Sequence, residues 1–200
     1  MEWIHEAYAQ RKEEIEERLD QFSHVQGDHL FYELCFCLLT PQSNGRRCDE
    51  AVQILRNKDF MHASVPLVPV LKTKTRFHHH KARYLEEMKQ TYPFVVQRLQ
   101  HERDSFALRT WLVEHVRGMG MKEASHFLRN VGYRGLAILD RHILRNLVKC
   151  NVLDTLPKTL TEKRYLEIEQ LLFSFSKKIG IHADALDLLF WSMETGEVFK

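Results

Sequence analysis

Apolar residues recur with a helical period along almost the whole chain. In 28–39, Leu30, Phe31, Leu34, Cys35 and Leu38 repeat on one face, as a 3.6-residue period requires. The same spacing returns in 107–116 with Leu108, Trp111, Leu112 and Val116, and in 122–131 with Ala124, Phe127, Leu128 and Val131. It continues in 141–149 (Ile143, Leu144, Leu147, Val148), in 163–178 (Tyr165, Ile168, Leu171, Leu172, Phe175) and in 183–193 (Leu186, Leu189, Phe190, Met193). The N-terminus is acidic and helical in character. Strand signals are weak. The β-branched stretch 65–71 is interrupted by Pro66 and Pro69, which reads as a loop. Pro93 and Pro157 mark further boundaries. No repeat period appears, and the pattern predicts an all-α chain of many short to medium helices.

Composition narrows the class. Two hundred residues suit one domain, or one domain of two lobes around a shared cleft. The chain is 44% hydrophobic and 28% charged, as soluble globular proteins are. No apolar run reaches the roughly 18 residues of a membrane span, and the start lacks the layout of a signal peptide. Cys35, Cys37, Cys48 and Cys150 match no zinc or iron–sulfur spacing, so they read as reduced, mostly buried thiols in a cytoplasmic protein. The net charge of +2 argues against a long, sequence-blind polyanion binder. A local basic face is still sufficient for DNA. Lys72, Lys74, Arg76, Lys81 and Arg83 cluster around three histidines at 78–80, while acids gather in Glu13, Glu14, Glu16, Glu17 and Asp20. Consecutive histidines on a helix do not share a face, so the cluster reads as a DNA-facing or solvated surface, with no metal site.

The chemistry concentrates in 117–142. Arg117-Gly118-Met119-Gly120-Met121-Lys122 joins two amphipathic helices. Gly118 and Gly120 permit the positive φ of a tight interhelical turn. The turn's N–H groups and the next helix start then suit a phosphate, which gives position without sequence. The plainer alternative is that Gly118 only caps a helix. Lys122 stands at a helix start, where the dipole opposes a cation. Desolvation would add to that and favour the neutral, nucleophilic amine. A phosphate-contacting or solvated lysine is the alternative. Asp140 precedes the helix 141–149 and suits its N-cap. The hydrogen bonds of a cap would keep it ionised, ready to stabilise positive charge on a sugar.

The blocks Gly118-Met119-Gly120-Met121-Lys122-Glu123-Ala124 and Leu139-Asp140-Arg141-His142-Ile143-Leu144-Arg145 resemble the helix-hairpin-helix DNA glycosylase superfamily. That superfamily often has proline where this chain has Arg117, a change that should alter the stiffness of the turn. The nearer resemblance is to the second type of 8-oxoguanine DNA glycosylase/lyase, of archaea and some bacteria. It extends through 122–132, Glu33-Leu34-Cys35-Phe36-Cys37-Leu38-Leu39-Thr40, Pro157-Lys158-Thr159-Leu160 and the tail from Trp191 through Thr195-Gly196-Glu197-Val198-Phe199-Lys200. The matched blocks run from about residue 30 to the last residue.

The resemblance implies an all-α unit over 1–200, two helical lobes around a cleft, with the hairpin at about 107–131. It implies Lys122 as Schiff-base nucleophile and Asp140 as catalytic carboxylate, with no iron–sulfur cluster or other cofactor. The expected partner is double-stranded DNA containing 8-oxoguanine, met by a monomer in a prokaryotic cytoplasm, at the nucleoid. In related enzymes the loop Thr40-Pro41-Gln42-Ser43 enters the minor groove, which makes Gln42 a candidate to fill the vacated space or bond the orphaned base. Arg76, Lys81, Arg117, Gly118 and Gly120 complete the expected DNA contacts. The resemblance places Lys200 in the base pocket, where its α-carboxylate is a candidate acceptor for the N7–H that distinguishes the lesion from guanine. Trp191 is a candidate stacking surface, and Asp187 lies one turn away from it. Two rivals stay open: a related glycosylase/lyase for another damaged base or abasic sites, and a hairpin DNA-binding module without turnover.

Overall fold

The computed structural model describes residues 2–200. Its described residues form ten α-helices and no strand, as the periodicity predicts. In chain order these are α1 (Glu2–Ser23), α2 (Asp28–Leu39), α3 (Gly45–Asn57), α4 (Leu67–Lys72), α5 (His78–His101), α6 (Ser105–His115), α7 (Met121–Asn130), α8 (Arg141–Lys149), α9 (Glu162–Ile179) and α10 (Ala183–Thr195). They fall into two compact units. One comprises Val25–Phe127, and the other Met1–His24 with Leu128–Lys200.

In the unit Val25–Phe127 the organising element is α2. Eight of its residues are buried, from Phe31 and Tyr32 through the run Leu34, Cys35, Phe36, Cys37, Leu38 and Leu39. A helix apolar on nearly every face belongs in a core, and α2 packs against both α3 and α5. Phe31 meets the edges of Tyr32 and Tyr92 at centroid distances of 5.2 and 5.0 Å, the geometry that ring quadrupoles favour. In the other unit α10 has this role. Ala185, Leu186, Leu188, Leu189 and Phe190 are buried, and α10 packs against α1, α8 and α9.

Two boundary expectations are corrected. The stretch 65–71 is not a loop, because α4 occupies Leu67–Lys72. Pro66 is its N-cap and Pro69 lies in the first turn, where backbone N–H groups have no intrahelical acceptor and proline costs little. Pro93 ends nothing either: α5 runs through it from His78 to His101. Its ring faces solvent, and buried Met88, Tyr92, Val95 and Leu99 anchor the helix on both sides of it. That packing outweighs one lost backbone bond and the local crowding at proline.

Candidate active site

The hairpin follows the expected turn, with one change. Val116 caps α6 and is itself buried, and the Met119 N–H returns to the Val116 carbonyl at 3.1 Å. Gly118 takes φ +87°, a region that L side chains avoid. Gly120 does not adopt positive φ. Its N–H instead donates to Glu123 Oε2 at 3.2 Å, and its carbonyl accepts the Ala124 N–H at 2.9 Å. Gly120 therefore leads into α7 as an ordinary helix entry.

The turn is held from α5. A Cβ on Gly118 would sit 2.4 Å from Tyr84 Cδ2 and 2.7 Å from Tyr84 Cγ, so the backbone rests directly on that ring. Arg117 donates to Glu87 Oε1 at 2.9 Å, with its guanidinium 6.0 Å from the Tyr84 centroid. Where the superfamily often has a proline, this chain has a side chain tied to α5. From the other side, buried Arg109 of α6 donates to Ser125 of α7 at 3.3 Å.

Lys122 is the second residue of α7. Its side chain is 23% exposed, and its Nζ lies 3.2 Å from Glu123 Oε1. Glu123 thus has two duties, binding the Gly120 N–H with one oxygen and the Lys122 ammonium with the other. The carboxylate offsets the unfavourable helix dipole at the lysine. An acid three residues past a helix N-cap can supply the returning half of a capping box, and Gly120 followed by Glu123 carries that signal in the sequence.

The basic and loop residues of the same unit separate into two kinds. Gln42 is exposed at φ 53°, and Arg76 is exposed with its guanidinium 5.3 Å from the Phe77 centroid. Lys81, expected as a surface DNA contact, is corrected: it is 3% exposed. Its ammonium donates to Leu39 O at 2.6 Å, Pro41 O at 2.8 Å and Ser43 Oγ at 2.8 Å. All three N–H bonds are spent inside the protein, which leaves none for a phosphate. Burial pulls its pKa down to about 8. The Cys48 thiol and Glu123 pull it back up, while Lys122 and Arg76 lower it further.

Asp140 belongs to the other unit and is the N-cap of α8, as expected. Its Oδ1 accepts from the His142 N–H at 2.7 Å and the Ile143 N–H at 2.9 Å. These donors satisfy one carboxylate oxygen. Leu139, immediately before, is buried, and its N–H points to the Tyr165 hydroxyl at 3.4 Å. The capping residue is therefore fixed from both sides.

The three residues expected at the base pocket lie in this same unit. Trp191 is half-buried and packs on Phe199 with centroids 5.9 Å apart and planes at 34°. Buried Val198 and Phe199 anchor the tail, and Lys200 Nζ lies 5.8 Å from the Phe199 centroid. Trp191 and Lys200 thus each lie against Phe199. Asp187 pairs with Arg129 at 3.2 Å, and the Arg129 guanidinium, almost wholly buried, covers the Phe22 ring at 4.9 Å. Among the described residues no group of three or more His, Cys, Asp or Glu is placed to hold a metal ion. No helix among them is long and apolar enough to cross a membrane.

Comparison with known proteins gives a consistent result. The family model described as 8-oxoguanine DNA glycosylase matches residues 15–181. The 8-oxoguanine DNA glycosylase/AP lyase of Fusobacterium nucleatum is 38% identical, over 98% of this chain and 96% of its own length. That of Korarchaeum cryptofilum is also 38% identical, over 94% of this chain and 91% of its own. The crystal structure of Methanocaldococcus jannaschii 8-oxoguanine glycosylase/lyase, in complex with 15mer DNA containing 8-oxoguanine, superposes with a TM-score of 0.89 at 32% identity. It covers 100% of both chains. On a family match this long, with relatives this similar over almost their full lengths, the chain belongs to the 8-oxoguanine DNA glycosylase family.

Proposed function

We propose that the protein is a bifunctional 8-oxoguanine DNA glycosylase and abasic-site lyase, working as a monomer on duplex DNA without an iron–sulfur cluster. The observation that carries this is the Lys122 amine, set at the start of α7 behind the Gly118 turn and held by Glu123. It occurs in a chain whose full-length relatives are glycosylase/AP lyases.

The lesion must first leave the stack, because its C1′ is unreachable inside the duplex. The hairpin turn and the loop carrying Gln42, with Arg76 and Arg117, position the backbone. The Lys122 ammonium passes a proton to Glu123, 3.2 Å away, and the free amine attacks C1′. As the Nζ–C1′ bond forms, the C1′–N9 bond breaks and the base leaves with that electron pair. The Asp140 carboxylate, held in place by its cap, stabilises the positive charge that grows on the sugar. Opening of the sugar ring gives the iminium. Loss of a C2′ proton then expels the 3′ phosphate and cuts the strand. Trp191 offers the expelled base a ring to stack on, with Asp187 and Lys200 at the polar edge.

The test is excision and nicking on 8-oxoguanine duplexes with each of the four opposite bases, coupled to borohydride trapping. Wild-type protein should release the base and leave a trapped adduct, and Lys122→Gln should trap none. A Lys122→Gln adduct at the wild-type level would remove Lys122 as nucleophile. Release of thymine glycol but not 8-oxoguanine would transfer the chemistry to another base. Salt-sensitive duplex binding with no release would reduce the protein to a binding module.

A further inference from the structure

Lys81 has no part in that mechanism, yet its ammonium is completely used. Leu39 O, Pro41 O and Ser43 Oγ take its three N–H bonds at 2.6–2.8 Å, so one side chain of α5 closes the whole 39–43 segment. Ser43 is a second node. Its Oγ also accepts the backbone N–H of Arg76 at 3.0 Å, which ties the turn before α5 to the same point. The Lys81 N–H in turn bonds the Phe77 carbonyl at 3.0 Å. Phe77 is therefore bracketed, its preceding residue bound to Ser43 and its own carbonyl bound to Lys81.

What these bonds hold is conformationally unusual. Gln42 has φ 53° and Phe77 has φ 57°. Neither is glycine, and left-handed backbone at such residues persists only where the surroundings over-determine it. Both side chains are exposed, Phe77 to 50%. An amide reads base edges and an aromatic face stacks on any base. Two strained turns thus share one buried anchor, and each presents such a group.

We propose that Lys81, acting with Ser43, is a positioning residue for DNA reading: it locks the two turns together so that Gln42 and Phe77 meet the duplex as one preformed element. This rests on the reading that the Gln42 loop enters DNA. The anchor substitutes for flexible loop closure, since both tips are set before the lesion arrives.

A double-mutant cycle tests it by single-turnover excision from an 8-oxoguanine duplex, using wild type, Gln42→Ala, Lys81→Met and the double variant. Lys81→Met should slow excision on the order of 10–100-fold, the scale of a misplaced contact group. The cost of Gln42→Ala should then shrink to within about twofold in the Lys81→Met background, because a displaced tip has little left to lose. A 2-aminopurine opposite the lesion should brighten with saturating wild type and stay quenched with Lys81→Met. Costs that multiply, with the 2-aminopurine signal retained, would make Lys81 a merely structural lysine and overturn the proposal alone. Wild-type rates for both Gln42→Ala and Phe77→Ala would overturn the DNA-entry reading and the proposal together. If Lys81→Met does not fold, Ser43→Ala takes its place in the same cycle, since it removes the node shared by both turns.

Discussion

Gly118→Ala is the sharpest perturbation of the hairpin. The new methyl meets two separate penalties. At φ +87° an alanine is left-handed, which costs about 1–2 kcal/mol. Its Cβ would also fall 2.4–2.8 Å from three atoms of the Tyr84 ring, and such overpacking costs about 1–3 kcal/mol after relaxation. Together they predict a loss of about 2–5 kcal/mol, or roughly 5–15 °C in Tm for a chain of this size. Gly120→Ala is the internal control. Its Cβ would meet only Glu123 Oε2 at 3.0 Å, the far end of a flexible side chain, without positive φ, so its cost should stay below about 1 kcal/mol. Urea denaturation of both variants, with duplex affinity measured at fixed salt, reads the difference. Adding Tyr84→Ala to Gly118→Ala should recover the overpacking share but not the backbone share, a coupling of about 1–3 kcal/mol. A Gly118→Ala cost under about 0.5 kcal/mol, or additive effects in that pair, would refute the argument that the turn rests on this ring.

Asp140→Asn should keep the cap of α8, and therefore stability within about 0.5 kcal/mol, while excision falls about 100-fold or more. Asp140→Ala should lose about 1 kcal/mol of stability as well; full turnover by the Asn variant would leave the carboxylate a cap and nothing else. Trp191→Ala should slow 8-oxoguanine excision about tenfold or more, since stacking is worth roughly 1–3 kcal/mol per base, and an unchanged rate would place the base elsewhere. Stability should also depend on pH through Lys81. Its folded pKa of about 8 lies below the ordinary 10.5, so between those values the unfolded chain holds a proton that the folded protein has released. Stability therefore rises with pH through that window, and below about pH 8 the burial penalty is fully present without a slope. Cys48, pushed up to about 11 from 9.0, opposes this at higher pH. The clean comparison is thus between pH 8 and 9, where urea midpoints of wild type should climb more steeply than those of Lys81→Met; equal slopes would contradict the placement of Lys81.

The sequence displays what periodicity and capping chemistry control. The helices from α6 to α10 are legible because each has a buried stripe, and Asp140 is legible because a cap is a local contact with the two or three residues after it. Proline misleads where position matters more than identity. Pro69 sits in a first turn that needs no N–H, and Pro93 faces solvent on a helix gripped from within. Lys81 is illegible for a different reason. Among neighbouring lysines, arginines and histidines it reads as one more surface charge, and only its bonds to residues about forty positions earlier reveal it as interior. Tyr84 is invisible in the same way, since its contact with Gly118 exists only after α5 has packed against α6.

That last contact limits how portable the hairpin is. A helix–turn–helix stiffened by its own proline carries its geometry with it, as a part that can be cut out and grafted. Here the rigidity is borrowed: the ring under Gly118 and the carboxylate on Arg117 both belong to α5. A peptide of α6, the turn and α7 alone should lose the turn's shape along with its neighbour. Transplanting the motif would require taking Tyr84 and Glu87 with it, and in this lineage positions 84, 87, 117 and 118 should change as a set.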